Sequence, residues 1–94
     1  MAKPATCTHI SAIKIVEKPS RIVGCAQCRA TGGEWVHLRM CHSCGEIACC
    51  DESPNQHARR HFEATHHPLM RTVERGEAWS WCFVDEVEFQ VAPV

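Results

Sequence analysis

Cysteines and histidines recur along this chain at the intervals that metal sites use. Cys25 and Cys28 form one C-x2-C pair and Cys41 and Cys44 another. Cys49 follows, and His57, His61 and His67 stand as H-x3-H-x5-H. Eight cysteines and seven histidines in 94 residues are enough soft ligands for two or three zinc ions. A chain this short needs such a staple, because a core of its size supplies only about 3–5 kcal/mol unaided.

The staple is either disulfide or metal. Four bridges would suit a secreted chain, and the sequence carries no apolar leader segment. Paired C-x2-C knuckles followed by spaced histidines fit Zn2+ in a reducing compartment, so the reading is a zinc protein of the cytoplasm. No stretch reaches the roughly 20 apolar residues of a membrane span. The formal net charge of -1 gives no long-range pull toward nucleic acid. The length suits one domain, residues 1–94, working as a monomer.

Residues 1–6 read as loose, and Cys7 to Val16 contains a C-x-H pair and a helical turn. Pro19 and Ser20 open a loop into the first knuckle, where Gly32 and Gly33 permit tight turning. Trp35 to Met40 reads as a strand leading into the second knuckle. A helix is predicted over 54–65, with Ser53 as its cap, Pro54 at its first position and Gln56 in the place of a capping box. Asp51 and Glu52 favour its positive end. His57 and His61, four apart, project from one face. Strands follow at 69–73, 79–83 and 87–91, the last alternating apolar and polar residues. The fold class is therefore α+β: a small zinc-stapled domain with a twisted antiparallel sheet packed against one or two short helices.

Spacing alone leaves two ligand pairings open. In one, Cys25, Cys28, Cys49 and His57 hold the first ion and Cys41, Cys44, His61 and His67 the second, tying the two knuckles to the helix. In the other, the two knuckles share one ion. Cys49 and Cys50 compete for one position, because adjacent side chains do not readily face the same ion; Cys49 is the chosen ligand. Cys7, His9, Cys82 and Asp85 make a third candidate quartet that would pin both chain ends, since an Asp oxygen is an accepted zinc ligand. His37, His42 and His66 are left for surface or hydrogen-bonding roles. Neither H-E-x-x-H nor the deaminase H-x-E with P-C-x-x-C occurs, so no catalytic zinc and no enzyme activity are expected.

These residues resemble the ubiquitin-specific-protease-type (UBP-type) zinc finger, in a compact stand-alone form. The matching pieces are Cys7-x-His9, Cys25-x2-Cys28, Cys41-x2-Cys44-Gly45, Cys49, His57-x3-His61, Thr65-His66-His67-Pro68-Leu69 and Trp81-Cys82-Phe83. They run over about residues 7–85. The resemblance implies the interleaved pairing, a small twisted sheet and three zincs. It also implies a pocket for the free Gly-Gly carboxylate of ubiquitin, built from an aromatic wall and an arginine just after the single cysteine. Here that stretch reads Cys49-Cys50-Asp51-Glu52, which would repel a carboxylate, and the late C-x2-C of the family is C-x2-D. Classical ubiquitin binding is therefore not expected.

Trp35, Trp81 and Phe83 remain as candidate ligand-binding aromatics, with a pocket between Trp35 and Trp81, whereas Trp79 reads as core. The function expected is a small recognition module for a peptide or protein C-terminus or another small carboxylate-bearing group. Two other readings stay open: a nucleic-acid-binding zinc protein using Arg21, Arg29, Arg39, Arg59, Arg60, Arg71 and Arg75, and a thiol redox or metal-buffering protein using Cys50.

Overall fold

The computed structural model describes residues 9–19 and 21–90. The expectations for residues 1–6, Cys7, Ser20 and Val91 lie outside them. A 3-10 turn, Ile10–Ala12, is followed by α1 (Ala26–Thr31), β1 (Leu38–Cys41), β2 (Ile47–Cys49), α2 (His57–Thr65), β3 (Leu69–Thr72), β4 (Trp79–Cys82) and β5 (Val87–Gln90). The strands form one antiparallel sheet in the order β2-β1-β3-β4-β5. This is the α+β domain that the sequence predicts, with both helices on the sheet.

Strand alternation divides the core between the two faces. Leu38 and Met40 pack with Cys49, Val73 and the α1 residue Cys28 on one side, extended by Ile15, Ile22 and Ile47. Leu69 and Cys82 carry that layer toward Ala12, Ile13, Val87 and Phe89. On the other side Ala48 and Met70 meet Ala58 and Phe62 of α2, together with Phe83 and Trp81.

The helix termini differ from what local sequence signals predict. The knuckle at Cys25, for which no helix was predicted, is the start of α1: Cys25 Sγ accepts from the Cys28 N–H, and Gly32, at φ 76, turns the chain out. The predicted helix over 54–65 begins only at His57. Gln56 sits at φ 48 with no side-chain capping bond, and its Nε2 donates to Asp51 O instead. Ser53 caps nothing on α2; buried, its Oγ accepts from Val36 N at 2.9 Å and holds the preceding loop. The orphan N–H of His57 donates to Cys49 Sγ at 3.1 Å, so a cysteine on β2 fixes where the helix starts. The β2 strand was not read from the sequence, and β1 begins at Leu38 rather than at Trp35.

His42 ties the N-terminal segment to the sheet. It is fully buried, its Nδ1 donates to Ile15 O at 2.6 Å, and its Nε2 lies 3.0 Å from Ser80 Oγ. Burial lowers its pKa below the usual 6.5, Arg71 adding to the effect. The ring is therefore neutral, with its proton on Nδ1 and Nε2 accepting from the Ser80 hydroxyl.

Candidate metal centres and the adjoining groove

Three groups of donor atoms converge. Cys25, Cys28, Cys49 and His57 form the first, all four buried; Cys41, Cys44, His61 and His67 the second; His9, Cys82 and Asp85 the third. In each group the ligand atoms all lie within 4.8 Å of one another. Cys7, the fourth member expected of the third group, is outside the described residues.

Each group is assembled from elements distant in sequence. In the first, α1 and the loop before it bring Cys25 and Cys28 against β2, which carries Cys49, while His57 opens α2. In the second, the hairpin between β1 and β2 presents Cys41 and Cys44 to His61 on α2 and to His67 just beyond it. The cross-chain distances can be set against zinc. With Zn–S of about 2.3 Å and Zn–N of about 2.0 Å, a tetrahedral ion holds two sulfurs about 3.8 Å apart, a sulfur and a nitrogen about 3.5 Å, and two nitrogens about 3.3 Å. His57 Nδ1 stands 3.3, 3.2 and 3.5 Å from the sulfurs of Cys25, Cys28 and Cys49, and the Cys28 and Cys49 sulfurs are 3.9 Å apart. In the second group Cys41 Sγ is 3.5 Å from His67 Nδ1, Cys44 Sγ 3.4 Å from His61 Nε2, and the two ring nitrogens 3.4 Å apart. In the third, His9 Nδ1 is 3.4 Å from Cys82 Sγ and 3.1 Å from Asp85 Oδ2. The donors fit the ion.

Binding an ion changes the charge state of these groups. All seven described cysteines are free thiols. Burial pushes the Cys28 thiol up to about 11, with neighbouring Cys25 and Cys49 adding to it and Asn55 opposing. Burial likewise raises Cys41. Without a dication at the centre these groups stay protonated at neutral pH; with one they ionise and bind it. Backbone N–H groups already point at the sulfurs: Cys28 N to Cys25, Ser43 N to Cys41, His57 N to Cys49 and Asp85 N to Cys82. Glu46 orients the second group, its Oε2 lying 3.1 Å from His61 Nδ1 and leaving Nε2 to face the sulfur of Cys44. Sequence reasoning missed Glu46, although its position two residues past Cys44 was the available signal.

Cys50 belongs to none of these groups. One residue beyond Cys49 it faces the other way, buried, with Sγ 3.5 Å from Ser53 Oγ. There it borders a groove of about 190 Å³ on the sheet. The floor of the groove is Arg39, Met70, Trp79 and Trp81, and Asp51, Glu52 and Glu88 stand around it.

The aromatic expectations divide. Trp81 lines the groove, half-buried, and so does Trp79, which the sequence placed in the core. Phe83 is core instead: buried beneath α2, it stacks on Phe62 with centroids 5.0 Å apart and planes 10° from parallel. Trp35 is not brought to Trp81. Its indole lies over Gly24, where a Cβ would come within 2.6 Å of two ring carbons, and the groove that Trp81 lines does not include it.

Arg39 lies at the bottom of the groove. It is 7% exposed, and its guanidinium carbon stands 4.5 Å from the centroid of the Trp79 ring. Nη1 donates to Leu38 O at 2.9 Å and to Thr72 Oγ1 at 3.3 Å; that hydroxyl in turn donates to Glu77 Oε1 at 2.6 Å. Nε is buried without a hydrogen-bond partner among the described residues. Asp51, in the stretch where the family arginine was expected, is engaged by Arg59, whose Nε donates to Oδ2 at 3.0 Å.

Fold and donor sets together define a small zinc-binding α+β domain. The chain belongs to the family described as the Zn-finger in ubiquitin-hydrolases and other proteins, whose model matches residues 25–92. It is similar to ubiquitin carboxyl-terminal hydrolase 44 of Danio rerio, 28% identical over 82 residues that make up 83% of this chain and 11% of that protein. It is also similar to the NAD-dependent deacetylase sir2A of Dictyostelium discoideum, 30% identical over 76 residues, 81% of this chain and 13% of that protein. The chain thus spans about a tenth of the curated relatives it matches. The solution NMR structure of protein RPA1320 from Rhodopseudomonas palustris is 48% identical, with a TM-score of 0.77 over 90% of this chain and 81% of that one. The domain is a zinc-binding module of this family rather than a catalytic unit. Among the described residues, no helix is long and apolar enough to cross a membrane.

Proposed function

We propose that this domain, a single unit over residues 1–94, is a metal-stapled recognition module. Zinc is held by Cys25, Cys28, Cys49 and His57, by Cys41, Cys44, His61 and His67, and by Cys7, His9, Cys82 and Asp85. The ions fix the sheet and α2 in relation to each other, and the groove between the sheet and the loop after β2 takes a peptide or protein C-terminus or another small carboxylate-bearing group. One observation carries this reading: Arg39, buried at the groove floor, has an Nε with no hydrogen-bond partner among the described residues. A buried donor left without an acceptor is costly, and a carboxylate entering the groove beside Trp79 supplies one along with a countercharge. The residues after Cys49 offer no cation, but β1 does.

The same reading makes the chain a monomer of the reducing cytoplasm, where thiols remain available to metal. Nucleic acid suits the surface less well. Arg39 and Arg71 are buried and Arg59 is occupied by Asp51, so three of the seven arginines are withdrawn from any phosphate backbone.

The test is a titration of zinc-loaded protein with short peptides as free acids and as C-terminal amides, followed by amide shifts and tryptophan fluorescence. Free acids should saturate with shifts at Trp79 and Trp81, and Arg39→Met should abolish them. Equal response to acid and amide would refute the reading.

A further inference from the structure

The charges around the groove specify more than a carboxylate. Arg39 contributes one cation, while Asp51, Glu52 and Glu88 contribute three carboxylates. Asp51 is neutralised by Arg59, which leaves Glu52 and Glu88, both exposed, with no ion pair among the described residues. Glu88 on β5 is the direct cross-strand partner of Trp81, and Trp81 in turn of Met70. The indole of Trp81 therefore forms a π-surface with an acidic group at its side.

We propose that the groove selects a terminal residue with a cationic side chain, lysine or arginine, its carboxylate on Arg39 and its cation over Trp81 beside Glu88 and Glu52. This rests on the carboxylate reading above and adds the identity of the residue bearing that carboxylate. Geometry limits the ligand to a single residue. The guanidinium of Arg39 lies over Trp79, and Trp81 is two residues along the same face of β4, about 7 Å away. One long side chain spans that distance, so anchor and cation belong to the same amino acid. The face of Trp79 is already taken by Arg39, whereas Trp81 has no cation over it among the described residues. An arginine or lysine stem also covers apolar surface, here Met70, while its head stays among carboxylates.

Three peptides of one otherwise fixed sequence test this: one ending in lysine, one in norleucine, and one in lysine amide. Calorimetric titration into zinc-loaded protein should give the lysine acid about tenfold tighter binding than the norleucine acid. That gap should close in the E52Q/E88Q variant, whose changed side chains are exposed and leave the core intact. Norleucine binding as tightly as lysine, with the amide still weak, would overturn this inference and leave the carboxylate reading standing. A gap unchanged in E52Q/E88Q would overturn it as well. Acid and amide binding alike, or no binding at all, would overturn both.

Discussion

Cys28 Sγ and His57 Nδ1 lie 3.2 Å apart although 29 residues separate them, and His57 is also the first residue of α2. One imidazole thus joins α1, β2 and the start of the second helix at a single point. His57→Ala should remove one zinc per chain by native mass spectrometry. It should also cost more than about 4 kcal/mol of stability in urea, because loss of a structural metal ranks with the most damaging single changes.

Zinc affinity at this centre should fall as the solution is acidified. The metal-free Cys28 thiol, pushed up to about 11 from 9.0, carries its proton at neutral pH, and binding must displace it. Each such proton weakens apparent affinity by about tenfold per unit drop in pH below the thiol's pKa. Competition with a chromophoric chelator between pH 6 and 8, on the order of two such units, and proton release in unbuffered solution both measure this.

Glu46 touches no metal donor atom but orients His61. Glu46→Gln should therefore weaken the second centre by about 10–100-fold while leaving the first unchanged. Stepwise chelation of the variant should show one zinc leaving earlier than in the wild type and the others leaving as before.

Phe83 and Trp81 lie two residues apart on one face of the sheet, Phe83 under α2 and Trp81 on the groove. Phe83→Ala should cost about 3–5 kcal/mol, since it empties the stack against Phe62. Trp81→Ala, at a half-buried site on the groove, should cost less than Phe83→Ala and abolish the fluorescence and shift changes caused by peptide acids. Equal stability losses for the two would contradict the division between core and groove.

Much of this architecture was legible because ligand chemistry imposes spacing. A C-x2-C pair turns around an ion whatever surrounds it, and histidines four apart share a helix face, so these donors could be named without a fold. The last strand was legible through its alternation. What escaped the sequence was set by tertiary context. α1 has six residues and β2 three, too few for periodicity to register. Ser53, Pro54 and Gln56 carry the local signals of a helix start, yet a cysteine sulfur on another strand decides where α2 begins. Arg39 between Leu38 and Met40 has the alternation of a strand with one solvated face. The Trp79 ring laid against it from two strands away helps make it a buried cation, and Trp35 stands on Gly24 for reasons that only the fold supplies.

The decisive measurement is native mass spectrometry of the purified chain, paired with circular dichroism during chelation under reducing conditions. Three zinc ions per chain are expected, one for each donor group. Their removal should unfold the domain, and added zinc should restore it. A reduced, metal-free chain that still unfolds cooperatively, with a midpoint unmoved by zinc, would contradict the role given to these cysteines and histidines.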